Sequence, residues 1–171
     1  MTATMRPRKR RPAGERHRCA RLPWLLAAAM SFIAALPAFA LSDRIVHDPY
    51  TGLAIEGYDP VAYFIVGKPV RGRKEREIFQ GNVFWRFDNE GNQQAFVAHP
   101  QVYQPAYGGY SALSISRGLP VPGDPRIFVV RDGRLFLFAT DVQRQVWLRD
   151  PESLIEMADR QWPDVRTTLS P

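Results

Sequence analysis

The sequence predicts an α+β fold: an antiparallel sheet from two hairpins plus one further strand, packed with a central helix and two C-terminal helices. Three observations carry this prediction. Gly81-Asn82 and Asp132-Gly133 each stand between stretches of strand length, with the dipeptide chemistry of two-residue hairpin turns. Past Thr140 the apolar residues change to helical spacing, with Leu154, Ile155, Ala158 and Trp162 on one stripe. Between the hairpins, residues 95–112 read AFVAHPQVYQPAYGGYSA, which describes a helix end, a sharp turn and the start of a strand.

The chain opens with a leader. Its formal net charge is +6, but eight Lys/Arg against the single Glu15 before Leu22 account for +7, which leaves the remainder at −1. The basic block precedes the apolar run LPWLLAAAMSFIAAL, then Pro37 and the small-residue site Ala38-Phe39-Ala40, so residues 1–40 read as a cleavable signal peptide. The run is shorter than the roughly 20 residues a membrane-spanning helix needs. Contact with a membrane is therefore expected only through this segment before cleavage, and the mature chain is expected to be exported, periplasmic or secreted. Cleavage also removes Cys19, the only cysteine, so disulfides contribute nothing to the mature fold and packing must supply its stability. A near-neutral remainder argues against nucleic acid as a partner.

Residues 41–52, with Pro49 and Gly52, read as an N-terminal arm that joins the domain late. Asp59-Pro60 suits a helix start, Asp59 accepting from the first turn and Pro60 supplying a preset φ, and the short helix is expected over residues 61–64. Arg71, Arg73 and Lys74 suit a solvated loop. Residues 77–80 and 83–87 form the first hairpin, with Val83, Trp85 and Phe87 on the core face and Phe84 and Arg86 on the other. Asp88 or Asn89 caps the central helix over residues 90–99, which Pro100 stops. The alternation of Ser111, Ala112, Leu113, Ser114, Ile115 and Ser116 predicts the further strand, with one wet face. Residues 127–130 and 135–138 make the second hairpin. Thr140 and Gln143 fit a capping box, with Val142 and Val146 on the buried side beside Trp147. Asp150-Pro151 restarts a helix that Pro163 closes, and residues 166–171 form a tail. No internal repeat of useful length is evident.

Four pieces, GYDPVAYF at 57–64, FQGNVFWRF at 79–87, the 95–112 corner and PGDP at 122–125, resemble the YHS-domain family in its small exported form. The resemblance spans most of residues 53–165, the expected YHS-like domain. Relatives often read YGGYCA at the corner; here Ser111 takes the cysteine position, and the paired cysteines of metal-binding members are absent.

The tyrosines supply the main constellation. Tyr58, Asp59, Tyr63, Tyr107, Gly108, Gly109, Tyr110, Ser111 and Asp124 are the candidate ligand-binding residues, because ring walls and hydroxyls that donate or accept suit a small ligand. Their structural counterpart is a set of core aromatics whose hydroxyls bond loop backbone. No cofactor is expected: outside the leader the metal ligands are His47, His99 and carboxylates, and the two histidines are only weak candidates. No nucleophile elbow surrounds Ser111, and Asp59, Asp124 and Asp132 lie in turn contexts, so no catalytic residue is expected. The expectation is an exported, non-catalytic YHS-type domain that binds an unidentified small ligand or protein partner through its tyrosine-rich corner. The family resemblance implies an alternative, an exported protein that binds or handles copper or zinc, and an enzyme is the third class.

Overall fold

A computed structural model describes residues 45–169, all within one compact unit, Ala40–Pro171. The leader, residues 1–40, expected to be a signal peptide, and the last two residues of the tail expected over 166–171 lie outside the described residues; residues 166–168 belong to α6. The order is a 3-10 turn Ile55–Gly57, α1 Ala62–Ile65, β1 Arg73–Gln80, β2 Val83–Phe87, α2 Glu90–Ala98, α3 Pro100–Tyr103, a second 3-10 turn Ala106–Gly109, α4 Ala112–Ile115, β3 Asp124–Arg131, β4 Arg134–Phe138, α5 Asp141–Trp147 and α6 Pro151–Thr168.

The α+β class holds, and both hairpins form where the turn dipeptides stand. Gly81 and Asn82 sit at φ +65° and +63°, Asp132 and Gly133 at +50° and +71°. Two consecutive left-handed residues give a turn whose twist matches that of the flanking strands. β1 pairs antiparallel with β2, and β3 with β4, as two separate two-stranded sheets. Val83, Trp85 and Phe87 are buried on one face of β2, as their alternation predicts, while Phe84 is exposed. Arg73 and Lys74, expected in a loop, open β1 instead.

The further strand does not form. Residues 111–116 are all buried, and residues 112–115 are the helix α4. A half-wet strand would leave its serines in water; here Ser116 donates to the Leu113 carbonyl at 2.8 Å, and Ser111 and Ser114 bond to Gln143. Local side-chain bonding of this kind makes a serine-rich alternation compatible with a buried turn of helix. Ser111 keeps one strand-like contact, a parallel bridge to Leu137.

Proline behaves differently from expectation in two places. α2 ends at Ala98, but Pro100 then starts α3 at its first position, where a missing N–H costs nothing. Pro163 lies inside α6, which continues to Thr168. An interior proline costs about 3 kcal/mol or more. The side chains flanking Pro163 offset that cost: Trp162 and Val165 both pack into the second core cluster. Val142, assigned to the buried side of α5, is exposed, because Gln143 turns inward to bond Ser111 and Ser114. The arm is integral from Ile45 onward: Ile45 is buried in the first core cluster, and the Val46 N–H donates to the Gly108 carbonyl at 2.7 Å.

Two clusters make the core. The first gathers Trp85, Phe87, Phe96 and Tyr63 with Leu135 and Leu137; the second gathers Phe136, Phe138, Trp147 and Tyr107 with α6. β4 is therefore buried on both faces. The strand pairing recurs although the sequence shows no repeat of useful length. Every paired position of the first hairpin recurs 51 residues later in the second: Arg73–Phe87 becomes Asp124–Phe138, and Gln80–Val83 becomes Arg131–Arg134, with the same break in register after the first pair.

Candidate functional site

The tyrosine corner is built by backbone. Tyr107, Gly108 and Gly109 occupy the left-handed region in succession, at φ +55°, +63° and +90°. A tyrosine there costs about 1–2 kcal/mol, so packing must hold it. Its ring lies against Phe136 and Trp162, with centroids 6.1 and 5.9 Å away, and the Arg134 guanidinium sits 5.4 Å from the ring centre. The Tyr107 hydroxyl donates to Asp159 at 2.9 Å, and Arg134 grips the same carboxylate through two bonds of 3.0 and 2.8 Å. Burial, aided by the Asp159 bond, pushes the phenol well above its ordinary value of 10.0. The Arg134 bonds hold the Asp159 carboxyl below its ordinary 3.8. At neutral pH the trio is neutral phenol, guanidinium and carboxylate, with no net charge.

Beside this trio lies a cavity of about 230 Å³, walled by Ile45, Gln101, Val102, Gln104, Pro105, Ala106, Tyr107, Gly108, Gly133, Arg134 and Trp162. Two aromatic rings and a proline supply flat apolar walls. Arg134 and the glutamine amides supply polar groups, and the side chains of Gln101 and Gln104 make no hydrogen bond among the described residues. A second cavity of about 180 Å³ lies between the arm and the start of β3, walled by His47, Glu56, Gly109, Pro122, Gly123 and neighbours.

The nine predicted residues do not meet at one cavity. Tyr107 and Gly108 line the first, and Gly109 the second. Tyr110 lies against Trp162, 6.1 Å between centroids. Ser111 is fully buried and donates to Gln143 Oε1 at 2.6 Å, away from both cavities. Asp59 is fully buried with four donors on its carboxylate: Oδ1 accepts from the N–H groups of Val61 and Ala62 at 2.9 and 3.3 Å, Oδ2 from the Asp88 N–H at 2.9 Å and from Asn92 Nδ2 at 2.6 Å. It caps α1, as its place before Pro60 predicts, and also ties α1 to α2. Tyr63 is buried with its hydroxyl on the Pro125 carbonyl at 2.7 Å, and burial raises its phenol in the same direction as Tyr107. Tyr58 lies under Arg71, 4.1 Å from ring centre to guanidinium carbon. Asp124 is occupied by Arg126, whose bonds hold its carboxyl below the ordinary range.

His47 is exposed, with Nδ1 2.9 Å from the Ile45 carbonyl oxygen, and His99 is exposed at the end of α2. Among the described residues no group of three or more His, Cys, Asp or Glu side chains is arranged to hold a metal ion. Arg134, Asp159, Gln101, Gln104 and Trp162 escaped the sequence reading. In sequence Trp162 stands only on a core stripe, and Arg134 only next to the Asp132-Gly133 turn. Nothing local in sequence links either to Tyr107, from which Arg134 and Trp162 lie 27 and 55 positions away.

Fold and site together define an α+β domain with a small ring-walled cavity beside a neutralised Arg–Asp pair. Comparison of the chain with protein-family models, curated proteins and solved structures returned no match.

Proposed function

We propose that the protein is an exported, non-catalytic YHS-type domain whose tyrosine corner binds a small planar organic ligand. The carrying observation is the 230 Å³ cavity at Tyr107, with ring walls, an oriented guanidinium and two amide side chains that make no hydrogen bond among the described residues. Its volume falls below the roughly 300–1,000 Å³ of pockets that take drug-sized molecules. The ligand is therefore about the size of one substituted ring. Ring faces favour a flat molecule, and the remaining guanidinium and amide N–H groups favour an sp² oxygen on its edge. Export is supported by the basic block, apolar run and small-residue site of the leader. The YHS assignment is supported by the four sequence pieces.

The test is two-dimensional NMR of the protein titrated with benzoate and, separately, benzamide. Among the described tryptophans only Trp162 lines the cavity, so its indole N–H resonance should move with saturation while those of Trp85 and Trp147 stay in place. A Trp162 signal that neither probe moves contradicts the reading.

A further inference from the structure

The 51-residue recurrence extends well beyond the strands. The Gly72 N–H donates to the Gly57 carbonyl at 2.9 Å, and the Gly123 N–H to the Gly109 carbonyl at 3.0 Å. Asp59 N–H bonds Val70 O at 2.8 Å, and Ser111 N–H bonds Val121 O at the same distance. The bridge of Leu53 to Phe84 recurs as Pro105 to Leu135, and that of Tyr58 to Arg71 as Tyr110 to Pro122. The loop bearing α1 is thus one residue longer than the loop bearing α4. Phe96 packs on Trp85 and Phe87 at 4.9 and 5.2 Å; Trp147 packs on Phe136 and Phe138 at 5.2 and 5.3 Å. Asn89 and Thr140 cap the equivalent helices α2 and α5 through the equivalent N–H groups. Ile55, Glu56 and Gly57 hold the left-handed region at φ +43°, +53° and +75°, as Tyr107, Gly108 and Gly109 do.

So many equivalent bonds, at positions that share few side chains, are the signature of one supersecondary motif used twice. The two corners then serve as controls for each other. What they share is scaffold: the three left-handed residues, the Gly-Tyr pair and the helix caps. At the first corner the positions equivalent to Tyr107 and Arg134 are Ile55 and Val83, both buried in the first core cluster, and β4 covers that cluster through Leu135 and Leu137. Among the described residues no further hairpin follows that of the second motif to cover its corner. α6 comes over it instead, bringing Trp162 and Asp159.

We propose that the chain is a tandem duplication of one corner–hairpin–helix motif, and that the exchange of two apolar core residues for Tyr107 and Arg134 turned the second corner into the binding site for a small planar ligand with an sp² oxygen. Asp159 is a positioning residue, fixing the guanidinium plane from outside the cavity lining. Recognition thus belongs to the second corner, with Ile45 and Trp162 of α6 completing its walls. The inference rests on the reading above that this cavity binds a ligand.

The experiment returns the second corner to the chemistry of the first. Dissociation constants for benzoate and benzamide are measured in the full chain, in Tyr107→Ile/Arg134→Val and in Arg134→Val alone, with the Trp85 and Trp147 indole resonances reporting the fold. Both variants should keep those resonances dispersed and bind the better probe about tenfold or more weakly, as expected for loss of a charged hydrogen-bond donor. If the double variant fails to fold, Arg134→Val carries the test. A preference for benzoate identifies the occupant as anionic, and equal affinity identifies it as a neutral carbonyl compound; both support the assignment. Undiminished binding by a folded variant overturns it while leaving the ligand-binding reading intact. Absence of binding by the unmodified protein overturns both.

Discussion

Gly109 shows what one residue contributes to the corner. At φ +90° it holds a backbone conformation that side chains with a Cβ rarely adopt, and an added Cβ would lie 3.5 Å from that of Val46 and 3.6 Å from Pro105 Cγ. The space alone would admit a small side chain, so the cost of substitution is mainly conformational. Gly109→Val should lower stability by about 1–3 kcal/mol, because a β-branched residue is disfavoured in the left-handed region. Denaturant unfolding monitored by tryptophan fluorescence checks this, and an unchanged midpoint would mean the corner relaxes into an ordinary loop. The corner was legible in sequence because Gly-Gly and three tyrosines are rare in so short a segment. The contents of its cavity were not. Asp159 and Arg134 reach Tyr107 only through α6 and β4, and sequence spacing carries no record of side chains that meet from such separated positions.

At the scale of elements, the hairpins were the most legible parts, since a turn dipeptide acts locally and forces strand pairing on either side. The short helices were the least. α4 lies in a stretch whose polar–apolar alternation is that of a strand, and only burial on all sides, with each serine hydrogen-bonded, makes it helical. α6 outruns Pro163 for a related reason: Ala158, Trp162 and Val165 continue one apolar stripe across the proline. Pro163 itself is exposed and withholds an N–H from the carbonyl of Asp159. Pro163→Ala should therefore raise stability, by about 1–3 kcal/mol given the helix penalty of proline and the partial compensation it gives by stiffening the unfolded chain. Chemical denaturation measures the change. A loss of stability would show that α6 is shaped by the proline rather than formed in spite of it.

At the scale of the molecule, the assignment of scaffold and site depends on the two motifs being equivalent. The duplication was hidden in sequence because the equivalent side chains differ in size as compensating pairs. In the first motif the corner is clasped to the helix by Asp59 and Asn92; in the second, by Ser111 and Gln143. The N–H after each hairpin follows the longer acceptor: Asp88 donates to Asp59, but the equivalent Ala139 donates to Gln143 Oε1 at 3.3 Å. Serine with glutamine spans the same gap as aspartate with asparagine, one carbon shifted across it. Ser111 is thus a clasp residue, which explains how this chain accommodates serine where the resembling family often has cysteine. The most direct test is a double-mutant cycle on urea unfolding that moves the first clasp into the second motif. Ser111→Asp alone should cost about 2–5 kcal/mol by burying a carboxylate against an amide oxygen, and Gln143→Asn alone about 1–3 kcal/mol through a lost hydrogen bond. The combined Ser111→Asp/Gln143→Asn variant should recover most of the summed loss, because the new pair can repeat the Asp59–Asn92 bond. A combined loss equal to the sum of the two single losses would contradict the equivalence of the motifs.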